Sequence, residues 1–198
     1  MSSTTKPLQS FIGKLLIAMP SMPDPRFAHA VVMLCAHSTD GAMGVIINKP
    51  LPDLRLFKLL EHLEIAPGAA TGLGDSPTDS PVHFGGPVET SRGFVLHSPD
   101  FFNVEGSLRV SDEIILSTSI EVLAEMAQGQ GPDRAITALG YAGWTSDQLE
   151  AEIQAGGWLL ADASPALVFE SEDARKWAAA LNSLGVDPRL LSGETGHA

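Results

Sequence analysis

Residues 30–50, AVVMLCAHSTDGAMGVIINKP, constrain the fold more than any other stretch. Residues 30–37 are a nearly unbroken apolar run. Ser38-Thr39-Asp40-Gly41 is a dense turn signal, and Asp-Gly favours a tight reversal because glycine accepts positive φ. Residues 42–47 are a second apolar run, stopped by Asn48-Lys49-Pro50. The pattern predicts a β-hairpin. Polar and apolar residues do not alternate along it, so both faces of both strands are expected to be covered. A hairpin this apolar belongs at the centre of the domain.

The rest of the chain supplies shorter elements. Residues 14–18 read as a strand, and 19–27 as an irregular, proline-rich segment anchored by Phe27. Asp53 is expected to cap a helix carrying Leu54, Phe57, Leu60 and Leu63 on one side. Residues 66–81, APGAATGLGDSPTDSP, hold one large apolar residue and read as a mobile surface loop. Strands are expected at 82–84 and 94–97, with Gly85-Gly86-Pro87 between them and Arg92-Gly93 near a hairpin tip. Short strands follow at 107–110 and 114–116. Thr118-Ser-Ile-Glu121 and Thr145-Ser-Asp-Gln148 are capping-box patterns, each opening a helix. Strands are expected at 134–139, 158–160 and 166–169. Ser171 is expected to cap a last helix with Ala174, Trp177, Ala178 and Leu181 inside, closed by Gly185. Strand pairs are frequent and regular βαβ alternation is absent. The reading is α+β with a mainly antiparallel sheet. One domain is expected over residues 11–190, with a disordered tail at 1–10 and a C-terminal tail at 191–198.

Charge narrows the partners. The chain has 24 acidic and 12 basic residues, a formal net charge of −12. Most of the excess lies after residue 100. An acidic surface repels a phosphate backbone, so direct nucleic-acid binding is not expected. The longest apolar runs are of strand length, far below the roughly 20 residues of a membrane helix. The first residues make a poor signal peptide. With Cys35 the sole cysteine, no intrachain disulfide can form, and a cytoplasmic location is expected.

No stretch carries a self-sufficient catalytic motif. The histidines at 29, 37, 62, 83 and 97 include no HxxxH or HExxH, and one cysteine builds no zinc cluster, so neither metal nor cofactor is expected. There is no G-x-S-x-G and no P-loop. Two readings of function remain. One is a binding protein of a regulatory or adaptor-like kind, with an unknown protein or small-molecule partner. Its candidate binding residues are Asn48, Gly85, Gly86, Arg92 and His97. Asn48 and Arg92 would share one rim if the two hairpins are sheet neighbours. The plainer alternative is that Asn48 caps, the glycines bend and Arg92 pairs with Glu89. The other reading is an enzyme in which His37, His83 and His97 converge in a pocket, with Asp100 beside His97.

Three ordered blocks carry a resemblance: GKLLIAMPSMPDPRFAHAVVMLCAHSTDGAMGVIINKPL, VHFGGPVETSRGFVLHS, and ALGYAGWTSDQLEAEI with GGWLLADA. They resemble the AlgH/YqgE family of bacterial proteins. The chain departs from the usual pattern at Thr145-Ser146-Asp147, where the family has Gly-Pro-Gly, and at Gly157, where it has Asn. The resemblance implies an α+β fold around a barrel-like sheet. It also carries a transcriptional-regulator label, and it transfers no catalytic residues. With the acidic balance, any effect on transcription is expected to be indirect.

Overall fold

The apolar hairpin lies at the heart of a sheet that has ten strands among the described residues. A computed structural model of the chain describes residues 10–66, 68, 79–101 and 105–191. Most of the expected tails and of the expected loop at 66–81 lies outside these. Strand β1 (Lys14–Ala18) runs antiparallel to β2 (Val31–Ser38), which pairs with β3 (Gly41–Ile46). The period of two divides these strands between two cores. Leu15, Ile17, Val31, Met33, Cys35 and Val45 enter one. Leu16, Ala18, Val32, Leu34 and Ile46 enter the other. Both faces are thus covered, as the lack of alternation predicts. Each of these Leu, Ile, Val and Met side chains contributes about 1.5–3 kcal/mol on burial.

Beyond the hairpin come β4 (Pro50–Arg55), α1 (Leu56–His62), β5 (Pro81–Phe84) and β6 (Val88–His97). Next are β7 (Ser107–Arg109), β8 (Ile115–Ser117), α2 (Ile120–Ala127) and β9 (Ala135–Thr145). The chain closes with α3 (Gln148–Gln154), β10 (Trp158–Asp162), α4 (Asp173–Ser183) and α5 (Pro188–Leu191). The main path of the sheet is β10-β1-β2-β3-β9-β6-β8-β7, curled into a half-barrel with helices around it. The fold is α+β.

β9 is the spine. Its C-terminal half pairs antiparallel with β3, from Ala142 to Thr145. Its N-terminal half pairs in parallel with β5, at Thr137 to Leu139. β6 takes the opposite edge, antiparallel, from Ala135 to Tyr141. The link from β5 to β6 therefore crosses β9, backbone against backbone. A Cβ on Gly85 would lie 2.2 Å from the Gly140 carbonyl oxygen, and one on Gly86 2.1 Å from the Tyr141 carbonyl carbon. Gly140 itself has φ +75°, and its Cβ would meet the Gly86 oxygen at 2.4 Å. Only glycine fits these positions.

Several local expectations are corrected. Residues 50–55 are strand: Pro50 and Pro52 hold the chain extended, and Arg55 rather than Asp53 precedes the helix. Leu56 and Leu60 are its buried side, while Phe57 and Leu63 are exposed. Arg92-Gly93 is no hairpin tip. It lies inside β6, beside an irregularity in pairing between Val88 and Gly93. β9 runs on to Thr145, past the end at 139 that the sequence pattern predicts. Residues 166–170 form a π-helical turn, started by Pro165 in helical conformation and by Ser164, whose hydroxyl accepts from the Leu167 N–H at 3.2 Å. Ser119, not Thr118, caps α2, and Ile120 is exposed. At α3 only the reverse half of the capping box forms: Gln148 accepts from the Thr145 N–H at 3.0 Å. Glu172 occupies the cap position of α4, with no side-chain bond, in place of Ser171. The buried face of α4 is Lys176, Ala180 and Leu181, and Ala174 is exposed.

Candidate functional site

The half-barrel leaves an open cleft of ≈ 730 Å³ between the β2–β3 turn, β9 and the β6–β8–β7 edge. The turn is held tight on β9: Gly41 pairs with Thr145, and its Cβ would meet the Trp144 carbonyl oxygen at 2.2 Å. Met43, Phe94, Leu108, Leu116 and Tyr141 give the cleft an apolar lining. The Phe94 and Tyr141 rings meet edge to face with centroids 5.8 Å apart. Arg92 and Asp40 are the charged residues among those that line it. The Arg92 guanidinium stands 5.4 Å over the Phe94 ring and 3.0 Å from the Glu89 carboxylate. Its side chain stays about half exposed, so the fork remains open to a second acceptor. Gly41 to Met43, then Val88, Arg92 and Phe94, then Tyr141, Gly143 and Trp144 reach this cleft. The three sequence blocks quoted above meet there.

The other candidates fall elsewhere. The Asn48 side-chain carbonyl accepts from the Val31 N–H at 2.8 Å, and its amide donates to the His29 carbonyl at 2.9 Å. It locks the open end of the hairpin. Asn48 is not among the residues that line the cleft. Gly85 and Gly86 form the crossing over β9, and Arg92 pairs with Glu89 as the plainer reading has it.

The three strand-end histidines do not converge. His37 lies under Phe11 in a stacked ring pair, accepts from the Phe11 N–H at 3.1 Å and reaches Glu150 at 2.7 Å. His83 contacts Asp173 at 3.0 Å. Asp173 also meets Lys176, which is buried and donates to the Ile47 carbonyl at 2.9 Å. Burial pushes Lys176 below its ordinary value, against the pull of Asp173. Burial pushes Asp173 up, but His83 and Lys176 outweigh it and hold the carboxyl below its ordinary value. This cluster pins α4 to the sheet. Cys35 is fully buried, and its thiol is pushed up to about 12 by burial, so it is inert.

His97 differs. It is wholly buried, with Nδ1 2.8 Å from the Ser98 carbonyl oxygen and Nε2 2.8 Å from the Ser117 hydroxyl. Ser117 contacts the Ser107 hydroxyl at 2.8 Å, and Ser107 borders the cleft. Asp100 lies near enough to His97 to favour its charged form, against the larger effect of burial, and accepts from the Asp133 N–H at 2.9 Å. Ser107 and Ser117 went unnoticed in the sequence, where neither stands in a motif. They are directly paired across β7 and β8, a register that no single strand displays. Among the described residues no group of three His, Cys, Asp or Glu side chains is placed to hold a metal ion.

A second cleft of ≈ 500 Å³ opens on the other side of Trp144. There Glu152 takes the indole N–H groups of Trp144 and Trp158 on one oxygen, at 2.9 and 2.8 Å, and the Gln148 amide on the other.

Comparison with known proteins gives one consistent answer. The profile described as AlgH-like matches residues 15–189. A UPF0301 protein of Ruegeria pomeroyi is 53% identical over 186 residues, 94% of this chain and 98% of its own. One from Paracoccus denitrificans is 50% identical, over 94% of this chain and 96% of its own. The solution structure of the AlgH protein from Pseudomonas aeruginosa superposes with a TM-score of 0.73 at 40% identity, covering 100% of this chain and 99% of that one. A Corynebacterium diphtheriae protein, 21% identical with a TM-score of 0.68 over 88% of this chain and 87% of its own, shares the fold.

Proposed function

From the premise that the chain belongs to the AlgH-like family, we propose that it is a cytoplasmic binding protein of a regulatory or adaptor-like kind, working through the Arg92 cleft. The observation that carries this is the meeting of all three sequence blocks at one apolar cleft with a half-exposed guanidinium. Such a site suits an anionic group, carboxylate or phosphate, on an apolar body. The body displaces water from Met43, Phe94 and Tyr141, and the head shares the Arg92 fork with Glu89. A small molecule or a protein partner can present that chemistry. Any influence on transcription is indirect, because the net charge of −12 opposes binding to nucleic acid. Among the described residues no helix is long and apolar enough to cross a membrane.

The test is a thermal-shift screen of amphipathic carboxylates and phosphates, repeated on two variants, since a ligand that prefers the folded state raises the melting temperature. Arg92→Ala keeps its own melting temperature and loses the shift. Asn48→Ala is less stable by about 1–3 kcal/mol, because the Val31 N–H and His29 carbonyl lose their partner, yet keeps the shift. A shift retained in Arg92→Ala refutes the reading.

A further inference from the structure

The second cleft carries a charge that no side chain balances. Met22, Phe27, Trp144 and Trp158 line it and belong to one core, whereas Met43, Phe94, Leu116 and Tyr141 at the Arg92 cleft belong to the other. The two clefts therefore lie on opposite faces of the sheet. Asp24, Arg26 and Glu152 are the charged residues among those that line the second. Arg26 is committed to Asp24, where its Nε and Nη2 meet both carboxylate oxygens at 2.6 to 3.1 Å. Glu152 is half-buried, and its donors are the neutral N–H groups of Trp144, Trp158 and Gln148. Among the described residues no cation pairs with it. A half-buried carboxylate without a counter-charge favours a ligand that brings one.

We propose that this cleft binds a small quaternary ammonium compound, with Glu152 supplying the charge and Phe27, Trp144 and Trp158 the aromatic contact. It is a second site, independent of the Arg92 cleft and opposite to it in charge preference. The kind of cation follows from the acceptors. A carboxylate offers about four acceptor positions, and three donors already occupy Glu152. Arg26 takes both oxygens of Asp24, and Thr145 takes the Gln148 carbonyl. The exposed Ser21 hydroxyl is the remaining side-chain acceptor. A primary ammonium or a guanidinium would leave N–H groups unpartnered here, at the cost of their hydration. A quaternary ammonium has no N–H to satisfy and is drawn to aromatic faces. Trp144 and Trp158 meet edge to face with centroids 5.9 Å apart, and Phe27 meets Trp158 edge to face at 5.7 Å. Glu152 fixes both indoles by their N–H edges. The indoles are nearly covered and Phe27 is half-buried, so Phe27 is the ring most open to a ligand.

The test titrates the full chain with choline and follows the indole N–H signals of its three tryptophans by NMR. The Trp144 and Trp158 signals are expected to move together on one saturating curve. The Trp177 signal is expected to stay, since that N–H donates to the Ala18 carbonyl and Trp177 does not line the cleft. Dimethylbutanol, the neutral carbon analogue of choline, should bind about 10-fold more weakly. Butylammonium, which keeps the charge and adds N–H donors, should also bind about 10-fold more weakly. Phe27→Leu keeps apolar bulk without the ring and should weaken choline about 5-fold. Glu152→Gln keeps an acceptor for the indole N–H groups, removes the charge and should abolish the saturable shift, with a melting curve to identify a failure to fold. The wild-type titrations decide without any variant. No shift with choline, an unsaturating drift of all three signals, or equal affinity for choline and either analogue overturns the proposal.

Discussion

Replacing Gly140 by alanine tests the backbone crossing over β9. The residue has φ +75°, and an added Cβ would lie 2.4 Å from the Gly86 oxygen and 3.0 Å from the Val88 oxygen. Both neighbours are backbone, so no side chain can swing away. Two costs add. A side chain in the left-handed region costs roughly 1–2 kcal/mol. Forcing an extra carbon into a filled site costs about 1–3 kcal/mol more, and the upper end applies where the clash is with backbone. Gly129 supplies the control, with φ +71° and nothing within 4 Å of its Cβ. Gly129→Ala should therefore show the first cost alone. For a domain of this size each kcal/mol lowers the melting temperature by about 2–4 °C. Gly140→Ala should melt roughly 6–12 °C below Gly129→Ala, for an extra cost of about 3 kcal/mol. Thermal melts of the two variants, followed by circular dichroism, measure the difference. Equal melting temperatures would show that the crossing tolerates a side chain and refute the reasoning.

Three further outcomes are expected. Thr137→Val should raise stability by about 1 kcal/mol in urea titrations, because the buried Thr137 hydroxyl lacks a hydrogen-bond partner. Glu152→Ala should cost about 2–4 kcal/mol and shift tryptophan emission to longer wavelength, because two indole N–H groups lose their acceptor. His97, held below its ordinary 6.5 by burial, lets the unfolded chain take up a proton that the folded chain refuses. Its contribution is therefore complete above about pH 6.5 and is lost as pH falls toward the folded value. Urea midpoints should drop between pH 7.5 and 5, with a shallower slope in His97→Gln.

The features legible in the sequence were those written in consecutive residues. The 30–50 hairpin declared itself through apolar runs and an Asp-Gly turn, and its doubly covered strands followed from the missing alternation. The α+β class followed from the order of elements. What a linear reading could not supply was the pairing of distant strands. Gly85-Gly86 reads as a bend, since glycine serves a tight turn and a close backbone approach alike, and Gly140 stands just past a strand expected to end at residue 139. Only the register of β9 shows that they answer one another. Arg92-Gly93 looked like a hairpin tip for the same reason. The histidines at strand ends invited a common pocket, but His37 and His83 turn to carboxylates on α3 and α4, whose placement no strand pattern encodes. Lys176 was hidden because α4 carries enough alanine and tryptophan to suggest a different buried face.

The position of β9 also sets the order in which this chain can fold. As synthesis proceeds, β1, β2 and β3 emerge first and can pair among themselves. β5 and β6 follow, yet neither pairs with the other, and each lays an edge against β9, which begins at Ala135. At about 5–20 residues per second, the fifty residues from Phe84 to Ala135 take seconds to appear. Through that interval the free edges of β3, β5 and β6 wait for one strand. Closing them is a late, long-range step, and steps of that kind slow folding. Translation speed between β6 and β9, more than the strength of any single contact, then governs how much of the nascent chain is captured by its own spine and how much by a neighbouring chain.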